Sequence, residues 1–378
     1  MEDKEINIKD NSLSGSFNQD NLLTLEKVTR RFMNMPSSEV TNLALNVMTA
    51  GKEQLGELPE RKAATTHNGS ELTIDRQGSA RTITLSHQDE HFVSIRIDEV
   101  EKLIGNNKGT KKLFAFILYK LGEQALNGNK EITRTNITFP LKELSAFGLY
   151  KNTKTARVGA IDALEIITKL RVSARLYVNK KKKIEQASAI SPFYGYNISS
   201  GQVSVYLAPE FNWEAIATYY TILPSYAFRL KIKAFDLIYY IFYLARQNIR
   251  KIETDGYFNI SMRAIHSRLM LPNIEGNKDP GRTIREPIEK AVEEIEEAAQ
   301  NSDFTITPHY NEGEGIKSYL DNGYIRIGLK GEYAKDFITL SKKKAKEIET
   351  KKKKNEAIRD KARAAALQKV IEAESKQA

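Results

Sequence analysis

The sequence predicts an α+β protein in which one supersecondary pattern is used twice. Three observations carry this. An apolar helical segment runs on from Thr110, with Leu113, Phe114, Ile117, Leu118 and Leu121 on one face, and another spans Ser225 to Asn248. Each is followed by a short strand, Ile137-Thr138-Phe139 in the first copy and Phe258-Asn259-Ile260 in the second, 121 residues apart. Each strand then leads into a short helix, a turn with basic residues, a second helix and a hairpin. That outline is the winged helix-turn-helix, so the expected architecture is two such domains in tandem. A largely disordered polar extension would precede them and a basic helical tail would follow. The expected boundaries are residues 1–80, 81–222, 223–340 and 341–378.

The extension at 1–80 is polar and poor in aromatics. Leu22 to Met48 reads as helical stretches interrupted at Met35-Pro36-Ser37-Ser38-Glu39, and Gly51 to Ala80 as linker. Arg81 to Leu85 and Phe92 to Ile97 alternate as strands do. Ile97-Asp98-Glu99-Val100 reads as a short helix, and Gly105 to Lys111 as a turn that starts the next one. Asn127-Gly128-Asn129 should end that longer helix.

In the first copy, Pro140 to Phe147 forms the short helix, with Pro in the first turn, where its missing N–H costs nothing, and Gly148 placed to stop it. The second helix runs from Asn152 or Thr153 to Leu170, with Ala160, Ala163, Leu164, Ile167 and Leu170 inward. In the second copy, Ser261 can cap the helix Met262 to Leu269. The second helix begins near Pro287, with Ile288, Ala291, Val292 and Ile295 inward. The separation of matching positions grows from 121 at the strands to 128 at the second helices (163 to 291), so seven extra residues fall in the loop Leu271 to Gly281.

A helix fits the major groove and its N-terminal residues can meet base edges, while its dipole favours nearby phosphate. The residues so placed are Lys151, Asn152, Thr153, Lys154 and Arg157 in the first copy, and Lys278, Arg282, Thr283 and Arg285 in the second. Both sets mix long cations with small hydrogen-bonding residues, as joint phosphate and base contact requires. The far end of the second copy's helix is acidic, with Glu289, Glu293, Glu294, Glu296 and Glu297, and should point away from phosphate. A wing is expected from Arg171 to Val178, through a tip of Lys180, Lys181, Lys182 and Lys183, back towards Tyr196. In the second copy the wing strands Phe304 to Thr307 and Tyr324 to Ile327 flank an acidic tip at Asn311 to Gly315. Base reading should therefore weigh on the second copy and backbone anchoring on the first.

Composition agrees with a nucleic-acid partner. The chain has 378 residues and a formal net charge of +10. From 341 to 378 there are 13 Lys/Arg against 6 Asp/Glu, a net of +7, so the body is only slightly basic. There is no cysteine, which excludes disulfides and thiolate chemistry and suits a reducing cytoplasm. The start, Met1-Glu2-Asp3-Lys4-Glu5, has no apolar region of the secretory kind, and the apolar run Phe235 to Ala245 is too short to span a bilayer. A cytoplasmic, nucleoid- or plasmid-associated protein with no membrane partner is expected.

Catalytic patterns fail on their chemistry. His87-Gln88-Asp89-Glu90-His91 matches an H-x-x-E-H zinc pattern, but that needs a helix and these residues bridge two strands. His67, His266 and His309 have no partners at ligand spacing. A rolling-circle nickase needs a close pair of histidines and a nucleophilic tyrosine, so Tyr194 and Tyr196 read as strand residues. Gly105 to Lys111 lacks the Lys-Ser/Thr order of a phosphate loop. No catalytic activity, cofactor or metal is expected.

Two segments carry a family resemblance. Arg285-Glu286-Pro287-Ile288-Glu289-Lys290-Ala291-Val292-Glu293-Glu294-Ile295, followed by Ser302-Asp303-Phe304-Thr305-Ile306, resembles the second recognition helix and strand of the iteron-binding plasmid replication initiators. Ser225-Tyr226-Ala227-Phe228-Arg229-Leu230 resembles the start of that family's second domain. The resemblance covers roughly residues 90 to 340. It implies a protein that binds origin repeats on double-stranded DNA, helps open adjacent AT-rich DNA and recruits the host initiator and helicase. It also implies repression of the protein's own gene as a homodimer, with monomer–dimer switching. The long N-terminal extension, the Pro/Gly loop before the second recognition helix and the basic tail depart from the family pattern. A winged-helix transcriptional regulator without an initiation role, and a protein-interaction scaffold, stay open as alternatives.

Overall fold

The computed structural model describes residues 32–36, 64–65, 71–77, 80–87, 91–97, 100–126, 136–175, 191–209, 220–269, 271–299, 303–311, 313 and 315–343, with isolated positions up to 353. It mixes helix and sheet throughout. Strand β1 (Phe32–Pro36) lies within the segment expected to be helical. Phe32, Met33 and Met35 are buried, and a distant strand supplies their hydrogen-bond partners, so tertiary pairing overrides local helix propensity. The segment expected to be linker likewise contains β2 (Ala64–Thr65) and β3 (Glu71–Gln77). Leu72 and Ile74 alternate with Thr73 and Asp75, a period-two pattern too short to stand out in polar surroundings. Strands β4 (Ala80–His87) and β5 (His91–Ile97) complete a meander in which His87 pairs opposite His91. The two histidines of the zinc-like segment thus end and begin paired strands.

Helix α1 (Val100–Leu126) is continuous across the positions expected to form a turn. Gly and Asn each disfavour helix by at most about 1 kcal/mol. Burial of Leu113, Phe114, Phe116, Ile117, Leu118 and Leu121 exceeds that several-fold. The first unit then follows the expected order: β6 (Asn136–Pro140), α2 (Leu141–Ala146) and α3 (Thr153–Ile167). Pro140 is the N-cap of α2, and Gly148, at φ 78°, turns the chain after it.

The wing of the first unit differs from expectation. Strand β7 (Arg171–Arg175) leaves the unit and pairs with β5, closing a sheet of order β2-β3-β4-β5-β7. The hairpin is instead β8 (Phe193–Ser199) with β9 (Gln202–Leu207). Its two-residue tip, Ser200-Gly201, has positive φ at both positions, the mirror-image turn whose twist matches a tight hairpin. Ser191 anchors the start of β8 by donating to the carbonyls of Thr168 (2.8 Å) and Phe193 (2.7 Å). Lys180, Lys181, Lys182 and Lys183 lie outside the described residues, as does the tail beyond 353.

Strand β10 (Tyr220–Pro224) pairs with β1 and leads to a 3-10 turn at Ala227–Arg229. The second unit comprises α4 (Ile232–Gln247), α5 (Ile249–Asp255), β11 (Tyr257–Ser261), α6 (Met262–Arg268), α7 (Glu286–Ala299), β12 (Phe304–His309), α8 (Ile316–Asn322) and β13 (Tyr324–Leu329). A last helix, α9, covers 331–343. Sheet orders β6-β9-β8 and β11-β13-β12 are equivalent. So is one detail of each: Leu141 N–H donates to Gly201 O, and Met262 N–H to Gly323 O, both at 2.8 Å.

The second helix of this unit starts earlier than expected. A π-helical turn over Gly281–Arg285 runs directly into α7. Asp279 caps it, accepting the Arg282 N–H on Oδ1 (3.1 Å) and the Thr283 N–H on its carbonyl (3.1 Å). Pro287 has no N–H to give a regular helix, and the wider π turn, closed by the Glu286 N–H on Gly281 O, precedes it.

One core spans both units. Phe116 packs on Phe139, Phe147 and Phe228, Phe228 stacks on Phe235, and Phe242 meets Phe32, Phe304 and Phe337. Lys111 of α1 and Asp236 of α4 form an ion pair within it, each 1% exposed.

Candidate nucleic-acid interface

The start of α3 is an exposed basic edge. Asn152 makes a capping box: its side-chain oxygen accepts the Thr155 N–H (2.9 Å), and Thr155 Oγ accepts the Asn152 N–H (3.2 Å). This fixes the helix start and occupies Asn152. Lys151, Thr153, Lys154 and Arg157 are exposed beside it, and Val158 is 60% exposed on the same face. Ala156, Ala160 and Ala163 hold the opposite face in the core. An apolar side chain so placed among cations can meet a thymine methyl in a major groove.

The start of the π turn in the second unit is also exposed and basic, but its candidate residues divide. Lys278 and Arg282 reach solvent. Thr283 is engaged within the chain, accepting from Asn277 Nδ2 (2.7 Å) and donating to Asp279 O (2.8 Å). Arg285 is 22% exposed and lies against the rings of Tyr310 (5.1 Å) and Tyr319 (4.7 Å). It also donates to Asn311 O (3.3 Å) and pairs with Glu289 (3.3 Å). Tyr310 in turn donates to the same Glu289 (2.8 Å). Arg285 therefore ties the connection between β12 and β13, which contains α8, to α7. Arg282, one turn earlier, is exposed to solvent.

Between the two basic edges lies a cleft of about 860 Å3. Leu149 and Tyr150, just before α3, form one wall. Arg282, Glu286, Lys290 and Glu294, at helical four-residue spacing, form another, and Arg229 and Lys231 enter from the connection between units. The units touch closely at one end: a Cβ on Gly148 would stand 2.8 Å from Arg229 Cγ. Lys112 at the cleft floor donates to Phe228 O (2.8 Å), and Lys233 to Leu269 O (2.6 Å). Burial pushes both amines down to about 8. Arg229 and Lys231 carried no site expectation, because nothing local in the sequence shows that they face the first unit.

No protein-family description matches the sequence, and no curated protein does. Among solved structures, domains 2 and 3 of RctB resemble the chain with a TM-score of 0.39 at 9% identity, covering 77% of this chain and 98% of that one. A selenomethionine derivative of the same two domains gives 0.43 at 12%, covering 78% and 99%. Among the described residues, no helix is long and apolar enough to cross a membrane, and no group of three or more acidic or histidine side chains is placed to hold a metal.

Proposed function

We propose that the two units are winged helix-turn-helix modules and that the chain is a sequence-specific duplex-DNA-binding protein. Its role is to initiate replication of a plasmid or mobile element by binding origin repeats, and to repress its own gene. The observation that carries the DNA reading is the pair of exposed basic helix starts, Lys151–Arg157 and Lys278–Arg282, held on one shared core. The initiation role rests on the family resemblance of 285–306 and 225–230, as do a homodimeric repressor form and recruitment of the host initiator and helicase. Arg282 reads a base; Arg285 positions the wing; Lys154 and Arg157 anchor the first unit on phosphate and base edges. We assign the protein no catalytic step.

The test is a plasmid that carries the gene and its flanking DNA and no other origin. It should establish in cells and fail when the gene is interrupted. A plasmid that replicates equally well without the gene would refute initiation. Repression of the gene by its product, persisting in that event, would leave a transcriptional regulator.

A further inference from the structure

Each carboxylate in the cleft between the two units is matched by a lysine. Glu286 pairs with Lys290, and Glu294 with Lys231, whose backbone N–H it also accepts at 2.5 Å. Arg229, Arg282, Lys112 and Lys233 remain as net positive charge around the same opening. Arg229 and Arg282 are exposed and form no ion pair among the described residues. The walls are the turn that delivers α3 and the outward face of the π turn and α7, so the opening lies between the two helix starts. Its dominant chemistry is cationic, its floor is held by two amines already fixed on carbonyls, and it lies between the two basic helix starts.

We propose that this cleft is a third DNA contact, which holds the sugar–phosphate backbone where the duplex passes from one helix to the other and so sets the spacing at which two sites are read. This rests on the DNA-binding reading above and adds a ligand to it: phosphodiester, without base identity. Arg229 and Lys231 are the side chains that touch it, since both reach solvent and neither is needed for the core. Lys231 is 89% exposed, so its ammonium can turn from Glu294 to phosphate, while Glu294 stays bonded to the Lys231 backbone N–H and faces the Lys112 amine.

The experiment uses full-length protein and a duplex from the DNA flanking the gene, titrated with salt. Each phosphate contact adds roughly 0.9 to the slope of log affinity against log salt. The pair Arg229→Gln with Lys231→Gln should therefore lower the slope by about 1.8. The same pair should reduce the penalty that wild type shows when two to five base pairs are inserted between its contact regions. Arg229→Lys should keep the slope, which separates charge from folding. An unchanged slope and an unchanged spacing penalty, in a protein whose wild type binds specifically, would overturn the cleft alone. Absence of sequence-specific binding by wild type would overturn both the cleft and the reading beneath it.

Discussion

The two units share a strand order and even a hydrogen bond, yet they hold their second helices in different ways. In the first, six residues separate α2 from α3, and one capping box defines the helix start. In the second, a longer loop, an aspartate cap and a π turn lead into α7, and Arg285 clasps two tyrosines of the connection between β12 and β13. The lesson concerns cations near a helix start. Where the start is self-contained, they stay exposed; where it is braced by a distant segment, one of them is the brace. Lys154 and Arg157 belong to the first case, Arg285 to the second.

The largest effect should come from what the units have in common. Asp236→Ala removes the carboxylate paired with the buried Lys111 amine and should destabilise the fold by about 3–5 kcal/mol. Lys111→Met combined with Asp236→Leu should recover most of that. Denaturant unfolding followed by circular dichroism and by proteolysis of each unit checks it. Independent loss of one unit would break the idea of a shared core. Next is the contrast between neighbours in the second unit. Arg282→Ala should cost about 1–3 kcal/mol in discrimination at one base pair while leaving the unfolding midpoint in place. Arg285→Ala should instead speed hydrogen exchange in 315–323 and weaken all sequences alike. If Arg285→Ala relaxed one base pair and left exchange unchanged, the roles would be reversed. The smallest effect belongs to the first unit's cap: Asn152→Ala should cost about 1 kcal/mol of stability, and Asn152→Asp should restore it.

Features set by neighbours in sequence were legible without the structure. Ser261 as a cap, Gly148 as a stop and the inward stripes of both second helices all follow from side chains a few residues apart. Features set by distant partners were not. Strand β7 reads as half of a local hairpin, but β5, more than 70 residues earlier, takes its edge. Strands β1, β2 and β3 are recognisable only once their partners exist. The same division runs through the candidate site. Exposure of Lys151, Lys154 and Lys278 follows from position on a helix start or loop. The engagement of Arg285 depends on Tyr310 and Tyr319, which arrive from the far side of β12, and the cleft depends on two units meeting. The shift of the π turn ahead of Pro287 lay within reach of the sequence, since Asp279-Pro280 is itself a helix-start signal.

On the proposed function, the two differently built helix starts engage two stretches of one duplex. Hydroxyl-radical footprinting on the DNA flanking the gene, with competitor present, tests it most directly when wild type is compared with Arg282→Ala and with Lys154→Ala combined with Arg157→Ala. Wild type should protect two stretches, with Arg282→Ala weakening one and the double substitution weakening the other. No protection above competitor, or the same stretch lost in both variants, would contradict it.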